Sequence, residues 1–271
     1  MIPGPIRWLL WREYLDQRQN RMLWPILVII PLIGAALPAI LAVGSAALLS
    51  RQAANASAEL NALIAGARML ATIGGIDLER AAALMLLRLS AGYYLLMPLA
   101  IVSIAGAHAI VGEKQQRTLE PVLATPIGSA AFLLGKLLAV LLPSLLITGI
   151  AALLGATVAM LSFWLVHGLL VWPDAIFWIA VGVLGPEVGA ITALVCLRVS
   201  ARMQDPQAAN QITGLMLTPA LLIVLGLTGP FLIQSVAALA VACVLGAFVV
   251  YALYRWVRAG FDREEILCRW R

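Results

Sequence analysis

The chain has 271 residues, of which 63% are hydrophobic and only 11% charged, with a mean hydropathy of +0.99. Soluble domains carry about a quarter charged residues, so this composition excludes an ordinary soluble fold and predicts an all-α, polytopic membrane protein. The net charge of +5 does not point to nucleic acid, because the basic residues sit at the ends of apolar runs, where anionic headgroups and topology use them.

In chain order, Arg7, Arg12, Glu13, Asp16, Arg18 and Arg21 precede the first apolar run, 23–49. That run is too long for a cleaved signal and is expected to remain as an anchor. Segment 50–88 follows, Ala-rich and predicted helical in "DLERAAALMLLRL". Further runs cover 89–111, 137–165 and 175–197, each near the ~20 residues needed to cross the hydrocarbon core. The last apolar stretch is about twice that length and is interrupted by Gly229-Pro230, a pair that a continuous helix tolerates poorly. It divides into 212–228 and 231–254, which makes six expected spans.

Lys and Arg then set the orientation. With the N-terminus in the cytoplasm, fourteen basic residues fall inside and four (Arg51, Arg68, Arg80, Arg88) outside, a strong positive-inside bias. Both termini are expected to be cytoplasmic, with 50–88 external, 112–136 a cytoplasmic connection and 255–271 a cytoplasmic tail. Trp and Tyr residues cluster near the span ends, as interfacial rings prefer.

Little in the sequence supports chemistry of its own. Cys196, Cys243 and Cys268 form no CxxC pair, and His108 and His167 fall near span ends on opposite sides. No metal site is predicted. The nearest approach to a phosphate loop, "GSAAFLLGKL", has the wrong spacing and lacks the Ser/Thr that would hold magnesium. One carboxylate stands out: Glu187 lies within the fourth run, in "VGVLGPEVGAITALV". A charge at that depth is costly and usually faces a bundle interior or water. It reads either as a substrate, ion or gating contact, or as a protonated or hydrogen-bonded group joining two spans. Pro186 removes a backbone donor beside it and is expected to kink the helix. Gly185 and Gly189 form a GxxxG pattern that permits close packing.

The connection 112–136 is dense in charge for so apolar a chain. Thr118 is a candidate N-cap, and Glu120 in the following turn opposes the positive end of the helix dipole. Pro121 suits a first turn, where its missing donor has no partner to lose. Leu119, Val122 and Leu123 share one face, Pro126 ends the stub, and Gly128-Ser129 allows a turn into the third run. These residues read either as a helix of about two turns at the membrane surface or, by composition alone, as a solvated loop.

The stretch "GEKQQRTLEPVLATPIGSAAFLLGK" also resembles the signature between the second and third spans of ABC-2-type transporter permeases. Glu113, Lys114, Thr118, Leu119, Glu120, Leu123, Pro126, Leu134, Gly135 and Lys136 carry the match, while Gln115 and Arg117 depart from it. "WREYLDQRQNRMLWPILVIIPL" is similar to the family's N-terminal interfacial helix, here 1–22, with Trp8, Trp11 and Leu15 on one side and Arg12, Glu13 and Asp16 on the other. "RVSARMQDPQAANQITGLMLTPALL" resembles its second cytoplasmic connection and fifth span.

The resemblance implies a permease subunit of an ATP-driven exporter. Two copies, as a homodimer or a paralogous heterodimer, would sit above two separate ATPase subunits. Those partners would hold ATP and magnesium, and this chain would hold no cofactor. Glu113, Arg117, Thr118, Leu119, Glu120, Pro121, Leu123 and Pro126 would form a coupling helix against the ATPase, and Arg12, Glu13 and Asp16 a docking helix beside it. The implied location is a plasma or bacterial inner membrane. Two other readings stay open: a secondary transporter or channel using Glu187 as an ion or proton site, and a membrane enzyme, for which no convergent constellation appears.

Overall fold

The structure, a computed structural model, describes residues 28–29, 31–34, 36–37, 40, 58–115, 129–203, 205, 207–208, 211–218 and 236–259. Among these residues the backbone is almost wholly helical and contains no strand. The principal elements are α1 (Ala58–Gly74), α2 (Leu78–Gln115), α3 (Ser129–His167), α4 (Ala175–Ile179), a π-helical turn (Ala180–Leu184), α5 (Gly185–Arg202) and α6 (Val236–Ala259). Residues 31–34 and 211–218 are helical as well.

Four stretches are long and apolar enough to cross a membrane: Leu78–Gly106, Ala131–His167, Ala175–Ser200 and Val236–Ala259. They carry the second, third, fourth and sixth runs read from hydropathy; most of the first and fifth runs lies outside the described residues. Local signals account for the boundaries. Gly75, at φ +60°, takes the left-handed conformation that closes α1. The carbonyl of Asp77 then accepts from Ala81 N at 2.9 Å to start α2. Gly168, at φ +68°, closes α3 in the same way. Asp174 caps α4, its Oδ1 accepting from Phe177 N at 3.3 Å.

α2 and α3 are longer than a membrane requires. At ~1.5 Å per residue, a 38-residue helix is a rod of about 57 Å, against a hydrocarbon core of ~30 Å. Each contains one proline, Pro98 and Pro143. Buried hydroxyls satisfy themselves within their own helices: Ser90 donates to Leu87 O at 2.7 Å, Thr148 to Ser144 O at 2.8 Å and Thr192 to Val188 O at 2.8 Å.

Packing divides the bundle into three apolar layers. One end joins Ala83 and Leu87 of α2 to Ala159 and Phe163 of α3, with Val171. The middle joins Tyr94 and Met97 to Ala151, Ala152, Phe177, Val181 and Leu239. The other end joins Val102 to Phe132, Leu133, Val140, Leu194, Leu197 and Val257. The order of residues through these layers fixes directions: α3 runs against α2, whereas α4–α5 and α6 both run with it. α5 and α6 are therefore parallel, and α6 enters beside the middle layer, through Leu239.

The α2–α5 contact is the most extensive, and small residues bring the backbones together. A Cβ on Gly106 would lie 2.7 Å from Cys196 Cβ, and one on Gly189 would lie 2.8 Å from Leu141 Cδ1 and 3.3 Å from Pro98 Cβ. A Cβ on Gly185 would meet nothing within 4 Å. The GxxxG pair therefore does not pack as a unit: Gly189 is at a crossing, and Gly185 sits where the π-helical turn passes into α5. α6 is the peripheral member. It touches the bundle along one stripe, with Leu239 and Val257 buried and Cys243, Gly246, Val250 and Leu253 partly so. Spacings of four and three residues keep that stripe on one face.

Candidate functional site

Four polar features interrupt the apolar layers. At the end holding the N-terminus of α2, the Arg88 guanidinium is bound to the Asp174 carboxylate; Nε donates to Oδ2 at 2.8 Å and a second nitrogen contacts the same oxygen. Asp174 thus has two tasks, capping α4 with one oxygen and pairing Arg88 with the other. The Trp172 and Trp178 rings stack at 6.1 Å beside this junction, and Phe163 lies 6.0 Å from His167.

In the middle layer, Tyr94 is fully buried, and its hydroxyl donates to Gly34 O at 2.9 Å, tying 31–34 to α2. Gly155 of α3 leaves the room that this hydroxyl occupies, since a Cβ there would overlap it. Phe177 packs edge-on to the Tyr94 ring at 5.6 Å.

Next along the fourth span comes Glu187, midway in the 26-residue stretch Ala175–Ser200. Pro186 has no N–H to offer the preceding turn, and its ring crowds the carbonyl four residues back. The backbone answers by widening: Gly185 N–H bonds to Ala180 O, five residues back, and Ala180–Leu184 forms a π-helical turn. Pro186 then occupies the first turn of α5, where a missing donor costs least. Glu187 follows directly. Its Oε2 is enclosed and has no hydrogen-bond partner, and it faces α6 at Gly246. A Cβ on Gly246 would overlap Oε2 and lie 2.9 Å from Cδ. The kink expected at Pro186 is, in the structure, a π-helical turn that carries a carboxylate on its downstream edge.

The fourth feature is cationic. Lys136, near the start of α3, is only 1% exposed and lies 5.9 Å from the Phe132 ring centroid. Arg198 of α5 sits 5.0 Å above the Trp256 ring of α6, and Arg255 lies 6.0 Å from the Tyr251 ring.

Of the residues singled out from sequence, Glu113 falls in the last turn of α2, though its side chain lies outside the described residues. So do Arg117, Thr118, Leu119, Glu120, Pro121, Leu123 and Pro126, and likewise Arg12, Glu13 and Asp16. The structure places Glu187 and adds Asp174 and Gly246, which the sequence reading did not select; Tyr94, one of the rings read from sequence as interfacial, and Lys136 are both buried. An acidic residue directly before an apolar run is an N-cap signal and could have revealed Asp174. Its partner Arg88, 86 positions earlier, is reachable only through the fold.

A protein-family model described as ABC-2 family transporter protein matches residues 7–257. No curated protein sequence matches the chain.

Proposed function

The chain belongs to the ABC-2 transporter family, by a match over residues 7–257, and from that premise we propose that it is the permease subunit of an ATP-driven exporter. It is a transmembrane component of an ABC transporter, with helices long and apolar enough for a multi-pass protein. In the proposed reading, ATP and magnesium are held by two separate ATPase subunits. A second permease copy, identical or paralogous, completes the pore in a plasma or bacterial inner membrane. The parallel course of α5 and α6 supports a fifth span between them, and Tyr94 bound to Gly34 supports a first span against α2, for six in all with both termini inside.

Force enters at the connection between α2 and α3. Leu119, Val122 and Leu123 offer an apolar face, and Glu113, Arg117 and Glu120 the charges that orient it, on a stub capped by Thr118 and bounded by Pro121 and Pro126. Arg12, Glu13 and Asp16 dock beside it. The observation that carries this reading is the family match, which spans both segments. The test is E120R. The variant is expected to insert normally, yet to lose co-purification with the ATPase or stimulation of ATP turnover by several-fold. Wild-type binding, turnover and transport in that variant would sink the coupling role.

One observation favours a second reading, a secondary transporter or channel: the unpartnered oxygen of Glu187 in mid-span. Transport in proteoliposomes driven by an ion gradient without ATP would establish it over the first.

A further inference from the structure

We propose that Glu187 and Gly246 form a proton-dependent clasp between α5 and α6: α6 seats on the carboxylic acid and lifts when the group ionises. The proposal rests on the permease reading only in treating these helices as membrane spans. Ser90, Thr148 and Thr192 close bonds within their own helices, and Arg88 and Tyr94 close theirs across to Asp174 and Gly34. Glu187 Oε2 closes none, and no cation pairs with it among the described residues. What it meets is Gly246, where the absence of a side chain leaves room for the carboxyl group. An ionised group would hold Oε2 against an apolar helix with neither counter-ion nor donor at that atom, a costly arrangement. The neutral acid fits the same space without that cost.

The neighbours of the clasp make the proton the natural ligand. α6 presents Cys243, partly buried one turn before Gly246 on the same stripe. α2 and α3 meet α5 close by through Pro98 and Leu141, and the π-helical turn, Ala180–Leu184, contains no titratable side chain. Tyr93 and Tyr94 belong to the adjoining layer, where the Tyr94 hydroxyl is engaged with Gly34. No metal-ligating set gathers among the described residues. α6 is attached along a single stripe, and the π-helical turn beside Glu187 is a backbone form found often at functional sites.

The test uses the full chain in phospholipid nanodiscs, without ATP or a partner subunit. Its outcome is therefore separate from that of the coupling experiment. Dicyclohexylcarbodiimide, which attacks protonated carboxyl groups from the lipid phase, is expected to label Glu187 at pH 6. The label, read by peptide mass, is expected to fall several-fold by pH 9. Absence of label at pH 6 overturns the proposal. The second readout is modification of Cys243 by a membrane-permeant maleimide. In the wild type it is expected to rise with pH several-fold more than in E187Q, which keeps the shape of the acid but cannot ionise. Superimposable pH profiles in the two proteins overturn the clasp. G246A, which fills the space of Oε2, is expected to expose Cys243 at every pH.

Discussion

An ion pair inside an apolar bundle is a commitment at the level of single atoms. Arg88 and Asp174 have side-chain exposures of 8% and 25%, so removing either partner has unequal consequences. R88A leaves Asp174 partly solvated and still capping α4; the expected loss is about 1–3 kcal/mol, below the ~3–5 of a fully buried pair. D174A takes the carboxylate away from the more deeply buried guanidinium and removes a cap worth ~1 kcal/mol, and is expected to be worse. D174N retains a cap acceptor and is expected to fall between them. Thermal unfolding midpoints in nanodiscs would rank the three; an equal effect of D174N and D174A would argue against the capping task. Sequence made these residues legible only singly. Asp174 precedes an apolar run as a cap should, but no local pattern links it to Arg88. Glu187 was legible by type and depth, since a carboxylate in mid-span is conspicuous. Gly246 was not, because its meaning depends on which face of α6 meets α5.

At the scale of helices, the four described spans follow from apolar length, the strongest signal a membrane sequence carries. The consequence of Pro186 was legible as a disturbance but not in form. A missing donor fixes where the helix must yield, whereas packing against α2, α3 and α6 decides whether it bends or widens. The same limit applies to Gly185 and Gly189: spacing identifies two small residues, and only the crossing shows that one of them matters. The tightest small-residue contact between α2 and α5 is at Gly106. There the obstacle is Cys196 Cβ, an atom that no rotamer change can move. G106A is expected to cost about 1–3 kcal/mol through overpacking, and G106V to separate the helices. Cross-linking between cysteines placed on α2 and α5 would report this; an unchanged cross-link yield in G106V would place the crossing elsewhere.

For the whole molecule, family membership and the proposed coupling segment were both readable in the stretch from Glu113 to Lys136, because a docking motif is short and contiguous. The paths along which the proposed clasp and ion pair would respond to that segment were not readable, being made of contacts between distant positions. The length of α2 joins these pieces. Its close crossing with α5 at Gly106 lies near the Gln115 end and far from Leu78. At ~1.5 Å per residue the two arms are about 14 and 42 Å. A rod pivoting there is a first-class lever with a mechanical ratio of about three. A displacement of ~1 Å at the coupling end would swing the opposite end by ~3 Å, which is comparable to a hydrogen-bond length. The Arg88–Asp174 pair lies on the long arm and would feel most of that swing. Paired spin labels, one set near Leu78 and one near Gln115, would measure the ratio directly. Equal displacements at both ends would show that the helix translates rather than pivots.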